Sequence, residues 1–234
     1  YFQAIEVFQK NGHRHGEGRA VGQAAGVLLV QDQLEEALRY YRKALSIHQE
    51  TGNKRQQGQV LGDIGIALRH KGEWGEAIEH FQSALTIHQS LNNKRYEGTT
   101  LISLGSTYWQ MGRHTEARQH YLQALDASRS YGNRRAEGVI QNNLGLVARA
   151  TEDEKTAIEH FQQALLIHQQ SGDAENQAIT MGNIGDCLVS LSQHEEAEHF
   201  FRQAIELSQR IDYLLPARVF EGSLAHLLAL EGRS

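Results

Sequence analysis

Residues 77–90 read AIEHFQSALTIHQS, and residues 157–170 read AIEHFQQALLIHQQ. Eleven of the fourteen letters agree at a separation of 80 residues. Midway between them, residues 117–130 read ARQHYLQALDASRS, a worn copy of the same phrase. The period is therefore 40 residues. A chain with such a period grows lengthwise by stacking like units, without a single central core.

Laid out in steps of 40, the chain aligns with itself without insertions or deletions. One column is Ala37, Ala77, Ala117, Ala157 and Ala197. Four residues on stands an aromatic column: Tyr41, Phe81, Tyr121, Phe161 and Phe201. Seven on stands Ala44, Ala84, Ala124, Ala164 and Ala204, followed by Leu or Ile. That spacing is one face of an amphipathic helix, helix B. A second helical pattern, helix A, precedes each B. Its key column is Gly65, Gly105, Gly145 and Gly185, with Ala25 in the first copy. A glycine inside a helix costs about 1 kcal/mol relative to alanine, so its recurrence points to close packing of A on B.

The segments between B and the next A share one phase: TGNKRQQG at 51–58, LNNKRYEG at 91–98, YGNRRAEG at 131–138 and SGDAENQA at 171–178. Gly52, Gly132 and Gly172 suit the left-handed residue that ends a helix. Asn53, Asn93, Asn133 and Asp173 suit the N-cap of the next one. The expected organisation is one solenoid over 1–234. It comprises an orphan helix B at 1–10, full repeats at 13–50, 53–90, 93–130, 133–170 and 173–210, and a terminal helix A at 213–230. That makes twelve helices and no strands.

These columns resemble the tetratricopeptide repeat. The third copy supplies Leu104, Gly105, Tyr108, Ala117, Tyr121 and Ala124 at the family's spacing. The usual repeat has about 34 residues. The 40-residue unit here resembles the longer subclass of the LGN/Pins polarity adaptors, related to long repeats in bacterial regulators and signalling ATPases. The resemblance covers nearly the whole chain. It implies an all-α fold, an α-solenoid wound as a right-handed superhelix of helix-turn-helix repeats. It also implies a protein-interaction scaffold whose A helices line a concave groove. The departures are modest: no Trp stands at the fourth position of helix A, and the usual proline near the end of helix B is absent.

Carried over by phase, the groove residues are Gln23, Gln59, Asp63, Arg69, Ser103, Ser106, Trp109, Asn142, Asn143, Arg149, Asn183 and Asp186. Three features stand out among and beside them. The column Gln23, Asp63, Ser103, Asn143, Asn183, Ser223 could hydrogen-bond an extended peptide, or bond across neighbouring repeats. A second glycine column, Gly22, Gly62, Gly182 and Gly222, could floor a groove or admit closer approach of adjacent repeats. Trp109 is either an anchor for an apolar side chain or a wedge between A helices. The expected ligand is an extended or helical, partly apolar peptide or protein segment.

Other chemistry is set aside on composition and spacing. The net charge of -5 argues against a nucleic-acid partner. The longest apolar runs are too short to span a membrane. Single Cys187 excludes an intrachain disulfide and fits a reducing, cytoplasmic location. The thirteen histidines repeat by column, as in His80, His120, His160 and His48, His88, His168, without the i,i+4 pairing that chelates zinc. The basic pairs Lys54-Arg55, Lys94-Arg95 and Arg134-Arg135 read as a solvated edge. Neither a phosphate loop nor a nucleophile constellation is visible. The expectation is a non-catalytic chain without cofactor or metal.

The ends read as an excised segment of a longer protein, and Tyr1–Gln3 match the tail of a common cleaved tag. An A helix lacking its B at one end and a B lacking its A at the other raise an alternative. Like chains would join head to tail through these unpaired helices.

Overall fold

The structure, a computed structural model, describes residues 1–230 together with Gly232 and Arg233. Among them are twelve helices and no strand: α1 Phe2–Lys10, α2 Arg14–Val30, α3 Leu34–Glu50, α4 Lys54–Lys71, α5 Trp74–Ser90, α6 Lys94–Gln110, α7 His114–Tyr131, α8 Arg134–Ala150, α9 Glu154–Ser171, α10 Ala174–Ser190, α11 His194–Arg210 and α12 Leu214–Leu230. The fold is an all-α solenoid. Even-numbered helices are A and odd-numbered helices are B.

One turn builds every connection. The backbone is left-handed at each twentieth residue from Gly12 to Gly232, whether that residue is glycine or not. At Gly52 its N–H donates to the Gln49 carbonyl (3.1 Å), and the Asn53 N–H reaches back to His48 (2.9 Å). This is a Schellman motif, and the same two bonds recur at all twelve positions. The next residue then caps the following helix. Asn53 Oδ1 accepts from the Gln56 N–H at 3.2 Å, and Asn133, Asp153 and Asp173 do likewise. At five positions the left-handed residue is Asp32, Asn92, Glu152, Ser192 or Asp212. Asn and Asp visit this region readily, but for Glu152 and Ser192 it costs about 1–2 kcal/mol.

Contacts divide the chain into two compact units, Tyr1–His120 and Tyr121–Ser234. In the first unit α2 packs on α3 and α4 on α5, and successive A helices α2, α4 and α6 also meet directly. In the second, α8 packs on α9 and α10 on α11, and α8, α10 and α12 form the corresponding row.

Within the repeats, the two alanine columns of helix B are fully buried, and the aromatic between them is nearly so. The glycine of helix A exists for that ring. A Cβ on Gly65 would stand 2.7 Å from the Phe81 ring, one on Gly145 2.5 Å from Phe161, and one on Gly185 2.6 Å from Phe201. A second interlock lies 30 residues apart in sequence. Gly18, Gly58 and Gly138 each face the buried ring of His48, His88 or His168 at 2.6–2.7 Å from the position a Cβ would take. In the fifth repeat the histidine gives way to buried Ser208, and the glycine to buried Ala178.

These contacts fix two expectations. Gly65→Ala should destabilise by about 1–3 kcal/mol, because its methyl group is driven into Phe81. Gly62→Ala, whose Cβ meets nothing within 4 Å, should stabilise by up to about 1 kcal/mol. Urea unfolding of both variants checks the opposite signs. Burial also holds the pKa of His48, His88 and His168 below the ordinary 6.5. The unfolded chain therefore takes up protons first as the pH falls. The histidine contribution is fully present above about 6.5 and is lost below it. Gly138→Ala with His168→Ser copies the fifth repeat and should lose less stability than wild type between about pH 7.5 and about pH 5. Equal shifts of the urea midpoint would contradict the assignment.

Candidate functional site

The first unit contains an open hollow of about 500 Å³. Gln23 of α2, Gln59 and Asp63 of α4, and Ser103 of α6 line it. Gln23, Asp63 and Ser103 are one repeat apart, so the 40-residue period puts them on equivalent faces of successive A helices. Gln59 lies one turn before Asp63. Gly22, Gly26 and Gly62 shape the floor. A Cβ at 62 would meet open space, one at 26 only the Tyr41 hydroxyl at 3.6 Å, and one at 22 only Ala44 and Val60 at 3.8 and 4.0 Å.

The polar lining is mostly neutral. Gln59 Oε1 accepts from Gln56 Nε2 at 2.5 Å, and the Ser103 hydroxyl donates to the Thr99 carbonyl at 3.2 Å. Gln23 and Arg19 are exposed. Asp63 differs from its neighbours. It is half-buried, and burial pushes its pKa up to about 6.

The remaining expected groove residues are spread over other surroundings. Arg69 lines a separate opening with His70, Lys71, Gly72, Trp74 and Gln110. Lys71 there is held by Glu35 and Glu73 at 2.7 and 2.6 Å. Ser106 is half-buried on α6. Half-buried Trp109 lies against the His114 ring, with centroids 5.0 Å apart.

In the second unit Asn142 Oδ1 accepts from Asn183 Nδ2 at 3.1 Å and from the Thr180 hydroxyl at 3.3 Å. Arg149 Nη1 donates to Asp186 Oδ2 at 3.0 Å. Burial still raises the Asp186 pKa against the pull of Arg149. These five residues thus bond α8 to α10. Asn143 is half-buried on α8. The polar column has two fates: Asn183 ties α10 to α8 through Asn142, while Gln23, Asp63 and Ser103 face the hollow.

The second glycine column also divides. A Cβ on Gly182 would run into the Phe220 ring, so that glycine serves the approach of α10 and α12. Gly62 and Gly222 face open space. The residue 38 positions on decides the outcome: Phe220 fills the gap at Gly182, Val60 grazes Gly22, and Thr100 stays clear of Gly62.

Among the described residues, no three or more His, Cys, Asp or Glu side chains gather to hold a metal ion, and no helix is long and apolar enough to cross a membrane. His160 Nδ1 meets Gln141 Oε1 at 2.7 Å, and His120 stacks on Tyr108. Cys187 is fully buried, and burial raises its pKa.

Residues 18–90, 56–130 and 136–210 each match the tetratricopeptide repeat family. Among curated proteins, none matches the chain. Among solved structures, it is similar to BtubC (BKLC) from P. vanneervenii, with TM-score 0.81 and 18% identity over 90% of this chain and 89% of that one. It is also similar to a signal transduction ATPase with numerous domains carrying a tetratricopeptide repeat sensor, from Pyrococcus horikoshii. There the TM-score is 0.84 at 20% identity, over 94% of this chain and 34% of that one. Aspartyl phosphate phosphatase F from Bacillus subtilis gives 0.81 at 14%, over 93% and 57%. The chain therefore spans most of BtubC's length but only part of the other two. At such identities the likeness is one of fold.

Proposed function

The chain belongs to the tetratricopeptide repeat family, and on that premise we propose that it is a non-catalytic scaffold that binds an extended peptide segment of a partner protein. The observation that carries this reading is the hollow of the first unit. Three successive A helices offer it amide, hydroxyl and carboxylate groups over a glycine floor. Asn and Gln side chains both donate and accept, which suits a peptide backbone. Arg69, Ser106 and Trp109 extend the same row of A helices in the first unit. In the second unit, Asn142, Asn143, Arg149, Asn183 and Asp186 form a row of their own. The 40-residue unit supports placement in the long-repeat subclass of the LGN/Pins adaptors, acting in the cytoplasm. The Pyrococcus protein's repeat is named a sensor, a role of recognition in keeping with this reading.

A second reading, head-to-tail self-association, is favoured by the terminal helices. Leu214, Leu215 and Val219 on α12 are 56, 77 and 64% exposed, and Phe2 and Val7 on α1 are each 54% exposed. α12 is an A helix and α1 a B helix.

Gly62→Phe fills the hollow without touching a neighbour at its Cβ. It should weaken binding of random peptide pools by at least about tenfold, measured by fluorescence anisotropy, while the urea midpoint holds. Unchanged binding would sink the groove reading. Sedimentation velocity over a wide concentration range tests the second reading: association that Val219→Glu abolishes supports it, and a monomer throughout contradicts it.

A further inference from the structure

Asp63 differs from five other carboxylates on or capping the A helices, each of which is held by an arginine or lysine. Glu17 has Arg14, Glu97 has Lys94, Glu137 has Arg134, Asp173 has Arg135 and Asp186 has Arg149, each within 3.1 Å. No hydrogen bond or ion pair from the described residues reaches the Asp63 carboxylate; burial alone acts on it. Withdrawing a carboxylate from water without a partner is unfavourable.

The fold does not need a charge there. The same column carries Gln23, Ser103, Asn143 and Asn183 in other repeats. Nor does any residue of the hollow compensate it. The titratable and charged groups that line the hollow are Arg19 on α2, Tyr41 and His48 on α3, His88 on α5 and Tyr96 on α6. Arg19 is exposed at the rim. Tyr41 is a buried phenol, and burial keeps both histidines from taking up protons readily. Gly62, Val60 and Ile66 line the same hollow, which thus pairs a carboxylate with open space and aliphatic side chains.

We propose that this hollow reads a cation in its peptide ligand: a lysine or arginine side chain whose aliphatic stem lies on Val60 and Ile66 and whose head pairs with Asp63. The inference rests on the peptide-groove reading above and adds the ligand's chemistry to it. The bound cation favours the ionised carboxylate. Affinity is therefore full above the free group's pKa of about 6 and falls as the pH drops through it.

The test uses the whole chain and four pools of N-acetylated random peptides, with lysine, arginine, norleucine or glutamate fixed at the centre. Wild type should bind the lysine and arginine pools about tenfold tighter than the norleucine pool. Asp63→Asn, the residue the column itself uses at 143 and 183, should keep its urea midpoint and bind the lysine, arginine and norleucine pools alike. A lysine preference that survives in Asp63→Asn overturns the proposal. Equal binding of all pools that Gly62→Phe still abolishes overturns it too, but leaves the groove reading standing. If no pool binds, or if Gly62→Phe changes nothing, both fall.

Discussion

The left-handed residue at every twentieth position is the constraint on which the rest of the structure depends. It closes each helix with the same two backbone bonds and hands the next residue to the following helix as its cap. Every connection is thereby given one geometry, and helices of 17 or 18 residues follow one another from α2 onward in constant phase. The constraint outweighs local preference. Glu152 and Ser192 adopt a conformation that disfavours them by about 1–2 kcal/mol, because any other backbone there would rotate the next helix out of register with its neighbours.

Constant phase then lets a single pair of small and large residues be used repeatedly. The glycine of helix A and the ring of helix B interlock at Gly65–Phe81, Gly145–Phe161 and Gly185–Phe201. The glycine–histidine pairs add a second lock near the start of helix A. Once these are accounted for, Gly62 remains: it occupies a helix at a cost and, like Gly222, has nothing within 4 Å of where a Cβ would stand. Space left open beside a half-buried carboxylate is where the fold departs from its own packing rule. Such departures are expected where a protein recognises something else.

Much of this was legible in the sequence, for physical reasons. The alanine and aromatic columns mark buried helix faces because burial selects size and apolarity at fixed spacing, and Asn53, Asn133 and Asp173 announce caps because their side chains are short acceptors. Three things were not legible. Asp32, Glu152 and Ser192 look like ordinary turn residues, and only the backbone shows them as the equivalents of Gly52. The fate of the polar column was hidden as well. Asn183 bonds Asn142, 41 residues back, whereas the residue that far before Asp63 is Gly22, which offers no side chain; that pairing showed only once the A helices were seen to meet. The division of the second glycine column turns on the side chain 38 residues away. That signal, Phe220 where other repeats carry Ala20, Val60, Thr100, Ile140 or Thr180, was present in the sequence. It was interpretable only once the A helices were seen to meet.

Recognition on the A-helix side of the first unit, over Gly62 and beside Asp63, is the proposal that most needs a direct experiment. Photo-crosslinking tests it most directly. Peptides carrying a diazirine beside the central residue would be irradiated with the intact chain, and the adducts mapped by mass spectrometry. Binding over the hollow should concentrate adducts on α2, α4 and the first half of α6, at residues such as Gln23, Gln59 and Ser103. Adducts confined to the B helices, or to the exposed apolar faces of α1 and α12, would contradict it.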